Sequence, residues 1–414
     1  MTDVEIRPLG PDDDIDAQVD LGQRAFGAAS TGLWDDWRQG AAVNVSDGAF
    51  LGAFVAGSPA GGATFHAMRQ WWHGKPMPMA GVASVKIAPE FRGRGIGRRL
   101  VTELVSLIAE RGYPVSVLYP ATMPIYRSLG WELAGGRYHT SVPSRELRSL
   151  IAPDRAVPDH AVQDDLAAAV NAVELRRAGP ADAATVNAVT ANAYEAMTAS
   201  GPLTWDVAQV ARSLARDDLY TYLAEDGFLA YRWHNEDHDL HVDKLVAASA
   251  VTTRALWSVV ASHSSMARTV HGLLGPHDPL WWLTRERDVA ITRRSMWMLR
   301  VVDAPAAVAA RGFPSSVSCR VPLIIEDKTR PSNSGRWELA VADGKGALVP
   351  SATPPASTAS RNPLTVGARG LAALYGGTPL ATLRVAGLAS GGSAPEDEAL
   401  DAAFAGTAFL LDSF

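Results

Sequence analysis

Three glycines in five residues, inside Arg92-Gly93-Arg94-Gly95-Ile96-Gly97, constrain the fold more than any other feature of this sequence. The stretch before them, Gly81 to Ile87, reads as a β-strand and stops at Pro89. The stretch after them repeats apolar residues every fourth position, at Ile96, Leu100, Leu104 and Ile108, with Val101 and Val105 alongside and Gly112 as a stop, which predicts a helix. A glycine loop joining a strand to a helix N-terminus presents unpaired N–H groups and the positive end of the helix dipole to an anion. A pyrophosphate fits, with Arg92, Arg94 and Arg98 adding charge at the rim. A dinucleotide fingerprint is excluded, because its third glycine would fall at Arg98 and no acid lies between Arg111 and Val117. Gly74-Lys75-Pro76 and Gly344-Lys345-Gly346 lack the Ser or Thr of a nucleotide-triphosphate loop.

The chain has 414 residues, too many for one core of ordinary size, and three domains are expected, over 1–150, 151–298 and 299–414. Val4-Glu5-Ile6-Arg7-Pro8-Leu9-Gly10-Pro11 recurs with five identities as Val173-Glu174-Leu175-Arg176-Arg177-Ala178-Gly179-Pro180, each copy opening a strand, a turn and a helix. A spacing of about one domain length reads as duplication rather than coincidence. The Ala-, Asp- and Pro-rich stretch 152–171 is the connection between the two copies. Beyond it, Trp297 to Val302 and Val317 to Glu326 read as strands, 350–363 as a loop and Leu364 to Tyr375 as a helix, giving an α+β third domain. A net charge of −6 argues against nucleic acid as a partner, and Cys319, the single cysteine, rules out an internal disulfide. An acidic start and the lack of a membrane-length apolar run predict a cytoplasmic protein that does not engage the membrane. The cluster His234, His238 and His241 reads as a polar hairpin, and no metal is expected.

About thirty residues past the loop, the strand Val115 to Tyr119 is followed by Ile125-Tyr126-Arg127-Ser128-Leu129-Gly130-Trp131. Together with Arg92-x-x-Gly95-x-Gly97, this pair of motifs resembles the GNAT acetyltransferase superfamily. The resemblance implies acetyl-CoA as co-substrate. Coenzyme contacts then fall at Val85, Lys86, Ile87, Arg92, Gly93, Arg94, Gly95, Ile96, Gly97, Arg98, Ala121 and Thr122. It also implies that the Tyr126 hydroxyl lies near the thioester sulfur and protonates the leaving thiolate. The plainer alternatives are a tight strand–helix turn and a packed tyrosine.

The order of parts resembles the Eis (enhanced intracellular survival) family: two GNAT-type α/β regions and a sterol-carrier-protein-type α+β domain. The stretch expected to hold a second coenzyme loop, Val246 to Trp257, has no glycine, so the second region is expected to have lost the coenzyme. The family resemblance implies a homohexamer acting on aminoglycosides, a small cationic amine as acceptor, and a catalytic role for the main-chain carboxylate of Phe414. That carboxylate attracts an ammonium group and accepts its proton. Phe26, Trp34 and Trp37, together with Ser84 and Asp412, are the expected substrate contacts, with ordinary core packing as the alternative for the aromatics. Acetylation of lysine, polyamine or peptide amines is a narrower alternative, and a lipid carrier built on the third domain a rival of another class.

Overall fold

The computed structural model describes residues 4–27, 31–150, 167–234, 238–351 and 363–414. In the first third of the chain, β1 (Val4–Pro8), β2 (Phe50–Val55), β3 (Ser58–Trp72), β4 (Lys75–Ile87), β5 (Val115–Leu118) and β6 (Glu132–Pro143) combine with four helices. These are α1 (Ile15–Phe26), α2 (Thr31–Ser46), α3 (Ile96–Glu110) and α4 (Pro124–Ser128). The apolar stripe predicted for α3 is buried, Leu100, Val101, Leu104 and Ile108 all being at or near zero exposure against Phe65 and Trp131. Gly112 ends the helix with φ +76°.

The middle of the chain supplies β7 (Arg176–Arg177), β8 (Leu203–Thr204), β9 (Tyr220–Leu223), β10 (Gly227–His234), β11 (Asp239–Ala247), β12 (Thr269–Leu274) and β13 (Ala290–Val301). These strands do not form a separate sheet. One sheet runs β1-β2-β3-β4-β5-β13-β6-β12-β11-β10-β9-β7, with β8 paired to β3. The strand read at Trp297 to Val302 is the end of β13, and it lies between β5 and β6 instead of in the third unit, Met298 opposite Leu118 and Trp297 opposite Gly135. Its Trp297, Met298 and Leu299 are buried on both faces, so an apolar run alone could not show which sheet it joins.

The two copies of the repeated octapeptide adopt the same local structure. Arg7 grips both oxygens of Asp13 at 2.7 Å while Gly10 N–H donates to that carboxylate. In the second copy, Arg176 bonds Asp182 at 2.6 Å and Gly179 N–H donates to it at 2.9 Å.

The last unit is a five-stranded sheet in the order β16-β15-β14-β17-β18, made of β14 (Cys319–Glu326), β15 (Gly335–Ala342), β16 (Lys345–Pro350), β17 (Leu364–Gly367) and β18 (Ala389–Ser390). The helix expected over 364–375 is instead β17 followed by a helix at Ala368–Tyr375. Leu364 and Val366 alternate with partly exposed residues and pair in parallel with β14, so tertiary pairing overrides the apolar pattern. This sheet packs on the large one in a common core, where Trp337, Leu339 and Val366 meet Trp72, Tyr375 and Trp297.

Arg300 on β13, fully buried, donates to Asp327 at 2.5 Å, to Thr329 at 3.0 Å and to its neighbour's carbonyl. Asn333 donates to the same Asp327 carboxylate. Breaking such a pair strands a charge in the interior, so Asp327→Asn is expected to destabilise the protein by about 3–5 kcal/mol, read as a lower urea midpoint. Among the described residues no helix is long and apolar enough to cross a membrane.

Candidate active site

Strands β4 and β5 run parallel from the Met79–Val115 pair to Val82–Leu118, where β5 ends and β4 continues to Ile87. The edge of β4 beyond Val82 is therefore uncovered. At this point β4 carries an extra residue relative to β3, since Ala83 lies opposite Thr64 and Lys86 opposite Gly62. Ser84, in this bulge, has φ +53°, a conformation a non-glycine side chain rarely holds, and its hydroxyl accepts from Trp37 Nε1 at 2.8 Å. Val85 follows the bulge on the stretch of β4 that β5 leaves uncovered.

The glycine loop follows from Ile87 through a short turn at Pro89–Phe91. Gly93 and Gly95 both adopt left-handed backbone, at φ +76° and +77°, and no atom lies within 4 Å of where their Cβ would be. These glycines are needed for the turn, and the space above them is open. Gly95 caps α3 without any side-chain hydrogen bond, leaving the helix N-terminus available to an anion. Arg92 and Arg94 reach back to the carbonyls of Ile87 and Glu90, Arg98 bonds Ser128, and no carboxylate partners these three among the described residues. A Cβ on Gly97 would lie 3.4 Å from Ile125 and 3.5 Å from Ile87, so the loop, the end of β4 and α4 meet at one point.

A cleft of about 770 Å³ opens from there, with Phe26, Trp34, Trp37, Ser84, Val85, Ala121, Tyr126 and Phe414 among its walls. Tyr126 is buried on α4, edge-on to Trp131 at 6.0 Å, and burial pushes its phenol up to about 12. It is protonated at neutral pH and a weaker acid than a thiol, whose reference pKa is about 8.5. Phe26 is 57% exposed at the mouth.

The tail arrives by a well-anchored route. Leu410 N–H donates to Gly136 and Phe409 N–H to Ser200, while Tyr119 Oη donates to the carbonyl of Asp412 at 2.6 Å. The Phe414 ring packs on Tyr119 at 4.9 Å and so close to Gly81 that a Cβ there would sit 2.8 Å from it.

Three expected contacts do not face the cleft with their side chains. Asp412 does not face this cleft: its carboxylate is bound by buried Lys244 at 3.0 Å in an adjoining cavity, so it offers no free charge to a substrate. Thr122 is exposed beside Ala121 without lining the cleft, whereas Ile87 stays beside the loop, its side chain packed on Gly97 and its backbone on the uncovered end of β4. Lys86 turns its side chain into a pocket of aromatic rings, its Nζ 4.0 Å from the centre of Trp37 and 5.4 Å from Phe50, with no hydrogen-bond partner among the described residues. Alternation along β4 sends neighbouring side chains to opposite faces, which explains its departure from the coenzyme side.

Burial holds the Lys86 ammonium down at about 7. The folded state then binds fewer protons than the unfolded state from about pH 7 up to the ordinary lysine value near 10.4, so this residue makes stability rise with pH across that window. Lys86→Met is expected to raise the melting temperature at pH 7 and to remove that part of the slope, measured by thermal melts at several pH values.

Several wall residues escaped the sequence reading. His66 lies opposite Trp205, ring centres 5.9 Å apart, and burial lowers it to about 4, so it is neutral. Trp205 comes from the middle of the chain, and no local motif marks it.

The corresponding helix of the second region, Ala250–Ser262, is closed to an anion. Ser249 caps it, its hydroxyl accepting from Thr252 N–H at 3.2 Å, and Asp226 accepts from the Thr252 hydroxyl. In the histidine cluster, His241 bonds Asp243 at 2.8 Å, while Glu236 and Asp237 lie outside the described residues.

Comparison with known proteins gives three successive matches: an acetyltransferase (GNAT) domain over residues 5–134, a second over 201–301, and a sterol carrier protein domain over 304–410. The chain is 41% identical to a GCN5-related N-acetyltransferase from Kribbella flavida, with a TM-score of 0.90 over 100% of this chain and 99% of that one. Eis1 from Mycobacterium abscessus superimposes with a TM-score of 0.75 at 25% identity, over 99% of this chain and 100% of that one. The N-acetyltransferase Eis of Mycobacterium tuberculosis is 28% identical over 320 residues, 75% of this chain and 74% of its own.

Proposed function

Because this chain belongs to the GCN5-related N-acetyltransferases, in the Eis-like form that carries a sterol carrier protein domain, we propose that it moves the acetyl group of acetyl-CoA to a primary amine of a bulky acceptor. The observation that carries this reading is the uncapped, left-handed glycine loop at the start of α3, set beside the gap between β4 and β5. The loop receives the pyrophosphate, and the free edge of β4 at Val85 and Ile87 hydrogen-bonds the pantetheine arm as an added strand would.

In the reaction, the neutral amine attacks the thioester carbonyl, forming the C–N bond, and the oxygen gains charge that the Val85 N–H stabilises. The C–S bond then breaks. With its phenol at about 12, Tyr126 acts more as a hydrogen-bond donor to the departing sulfur than as a full proton donor. The Phe414 carboxylate draws the ammonium form into the cleft and takes up the proton released by the attacking nitrogen. His66, as a neutral imidazole in the same wall, is a second acceptor within the cleft.

The size of the cleft suits an aminoglycoside, the acceptor class that the Eis resemblance implies. The lipid-carrier reading gains no support, because the face of the third sheet is filled by the shared core around Trp72 and Tyr375. A homohexamer is proposed as the assembly, with exposed Trp282, Met266 and Ile291 supplying apolar surface for subunit contacts.

Calorimetry with acetyl-CoA is expected to give one site per chain, since Ser249 closes the second helix start. Two sites would overturn the reading of the second region, and no binding at all would overturn the acetyltransferase reading.

A further inference from the structure

A second cavity of about 500 Å³ adjoins the cleft, and the two share Trp205, Gln209 and Ser413 in their walls. Among the described residues its wall is basic, with Arg137, Arg216, Arg232 and Lys244 against Asp243 and Asp412. Three of these cations are neutralised: Arg232 by Asp243 at 3.0 Å, Lys244 by Asp412 at 3.0 Å and Arg216 by Asp218 at 2.8 Å.

Arg137 is held differently. Its guanidinium lies 4.7 Å over the Tyr119 ring and donates to the Ser413 hydroxyl at 2.6 Å, while its Nε is buried without a partner. Arg212, in the wall of the main cleft, gives both its bonds to the side-chain oxygen of Gln209, at 2.6 and 3.2 Å. Asp206 in the same wall is occupied as a helix cap, accepting Gln209 N–H at 2.6 Å, and Asp47 is exposed.

Ser413 and Gln209 are both residues of the seam between the cavities. Two guanidinium groups therefore flank that seam on neutral partners, with no carboxylate within ion-pair distance of either among the described residues. Arg137 is half-buried, so its cation lacks both full hydration and an anion, while Arg212 is exposed beside it on the cleft wall; the planar guanidinium fork of each matches a carboxylate or phosphate.

We propose that the acceptor carries an anionic group as well as its reacting amine, and that Arg137 and Arg212 hold this group at the seam while the amine reaches the Tyr126 end of the cleft. This rests on the acetyltransferase reading and narrows it, placing amino-acid, peptide and phosphate-bearing amines ahead of purely cationic aminoglycosides. The chemistry is unchanged. The arginines are positioning residues that orient the amine through a distant contact, which favours capture at low substrate concentration.

The test compares three acceptors with the same terminal amine: 1,5-diaminopentane, lysine and 5-aminopentyl phosphate. Release of free CoA gives kcat/KM for each with the full-length protein and with Arg137→Gln and Arg212→Gln, which lie on different elements. The expected result is a preference of about tenfold or more for lysine or the phosphate over the diamine, the scale of one bidentate contact. In each variant the ratio should fall toward one, mainly through KM, with partial recovery in Arg137→Lys. Which anion is preferred identifies the source.

A ratio of one or less in the unmodified protein overturns the proposal. So does a variant that slows all three acceptors equally while keeping the ratio, because Arg137 would then serve only to hold the tail. Acetyl-CoA binding by calorimetry separates these outcomes from failure of the acetyltransferase reading. A protein that does not bind it loses both.

Discussion

One glycine added after Phe414 is expected to lower kcat by about 10²-fold or more, the scale of a displaced proton acceptor. The tail is fixed just short of its end by the Tyr119 bond to Asp412, the Lys244 ion pair and the Arg137 bond to Ser413, so an added residue cannot be absorbed by slack upstream. The Phe414 ring is wedged against Gly81 and Tyr119, leaving the main-chain carboxyl as the group that moves. Acetyl-CoA affinity should be unchanged, because Phe414 packs on Gly81 and Tyr119 and not on the loop at Gly93–Gly97. Stopped-flow CoA release and calorimetry on the same sample measure the two quantities. Full activity in the extended protein would transfer the proton-accepting role to another group, and His66 would be the first to test, by His66→Gln.

Tyr126→Phe should reduce turnover by about 10²–10³-fold, comparable to removing one donor from a developing charge. The ring is buried against Trp131, so the phenylalanine fills the same space and the fold should tolerate it. Acetyl-CoA binding should stay within about twofold, since the lost bond forms only as the C–S bond breaks. An acetyl thioester with a better leaving group should narrow the gap between variant and parent. If it does not, the hydroxyl is not acting on the sulfur, and the tyrosine is a packing residue.

The loop, α3 and the tyrosine segment were legible in the sequence because each is encoded within about fifteen consecutive residues, where glycine spacing and apolar period decide the outcome. Sites assembled from distant segments were not. Trp205 lies 120 positions beyond Val85 in the chain and meets it only in the folded cleft. Nothing near Arg137 announces that it will meet Ser413. Lys86 shares its strand with Val85 and Ile87, and only the alternation of the strand shows that its side chain stands on the opposite face from theirs. Asp412 looked like free negative charge near the tail, and only the fold brings buried Lys244 against it. Leu364 to Gly367 read as helix in sequence because four residues are too few for periodicity to separate strand from helix.

The placement of β13 between β5 and β6 has a consequence for how the chain is made. When residue 143 leaves the ribosome, the first six strands exist but β5 and β6 still lack the partner that lies between them. That partner ends at Val301, so at ordinary elongation rates roughly ten to thirty seconds pass with one edge of β5 open and β6, whose other neighbour β12 also comes later, unpaired for most of that time. Synthesis that stops before residue 290 leaves those edges permanently exposed. A fragment ending at the first domain would therefore be a target for chaperones and aggregation rather than a small working enzyme.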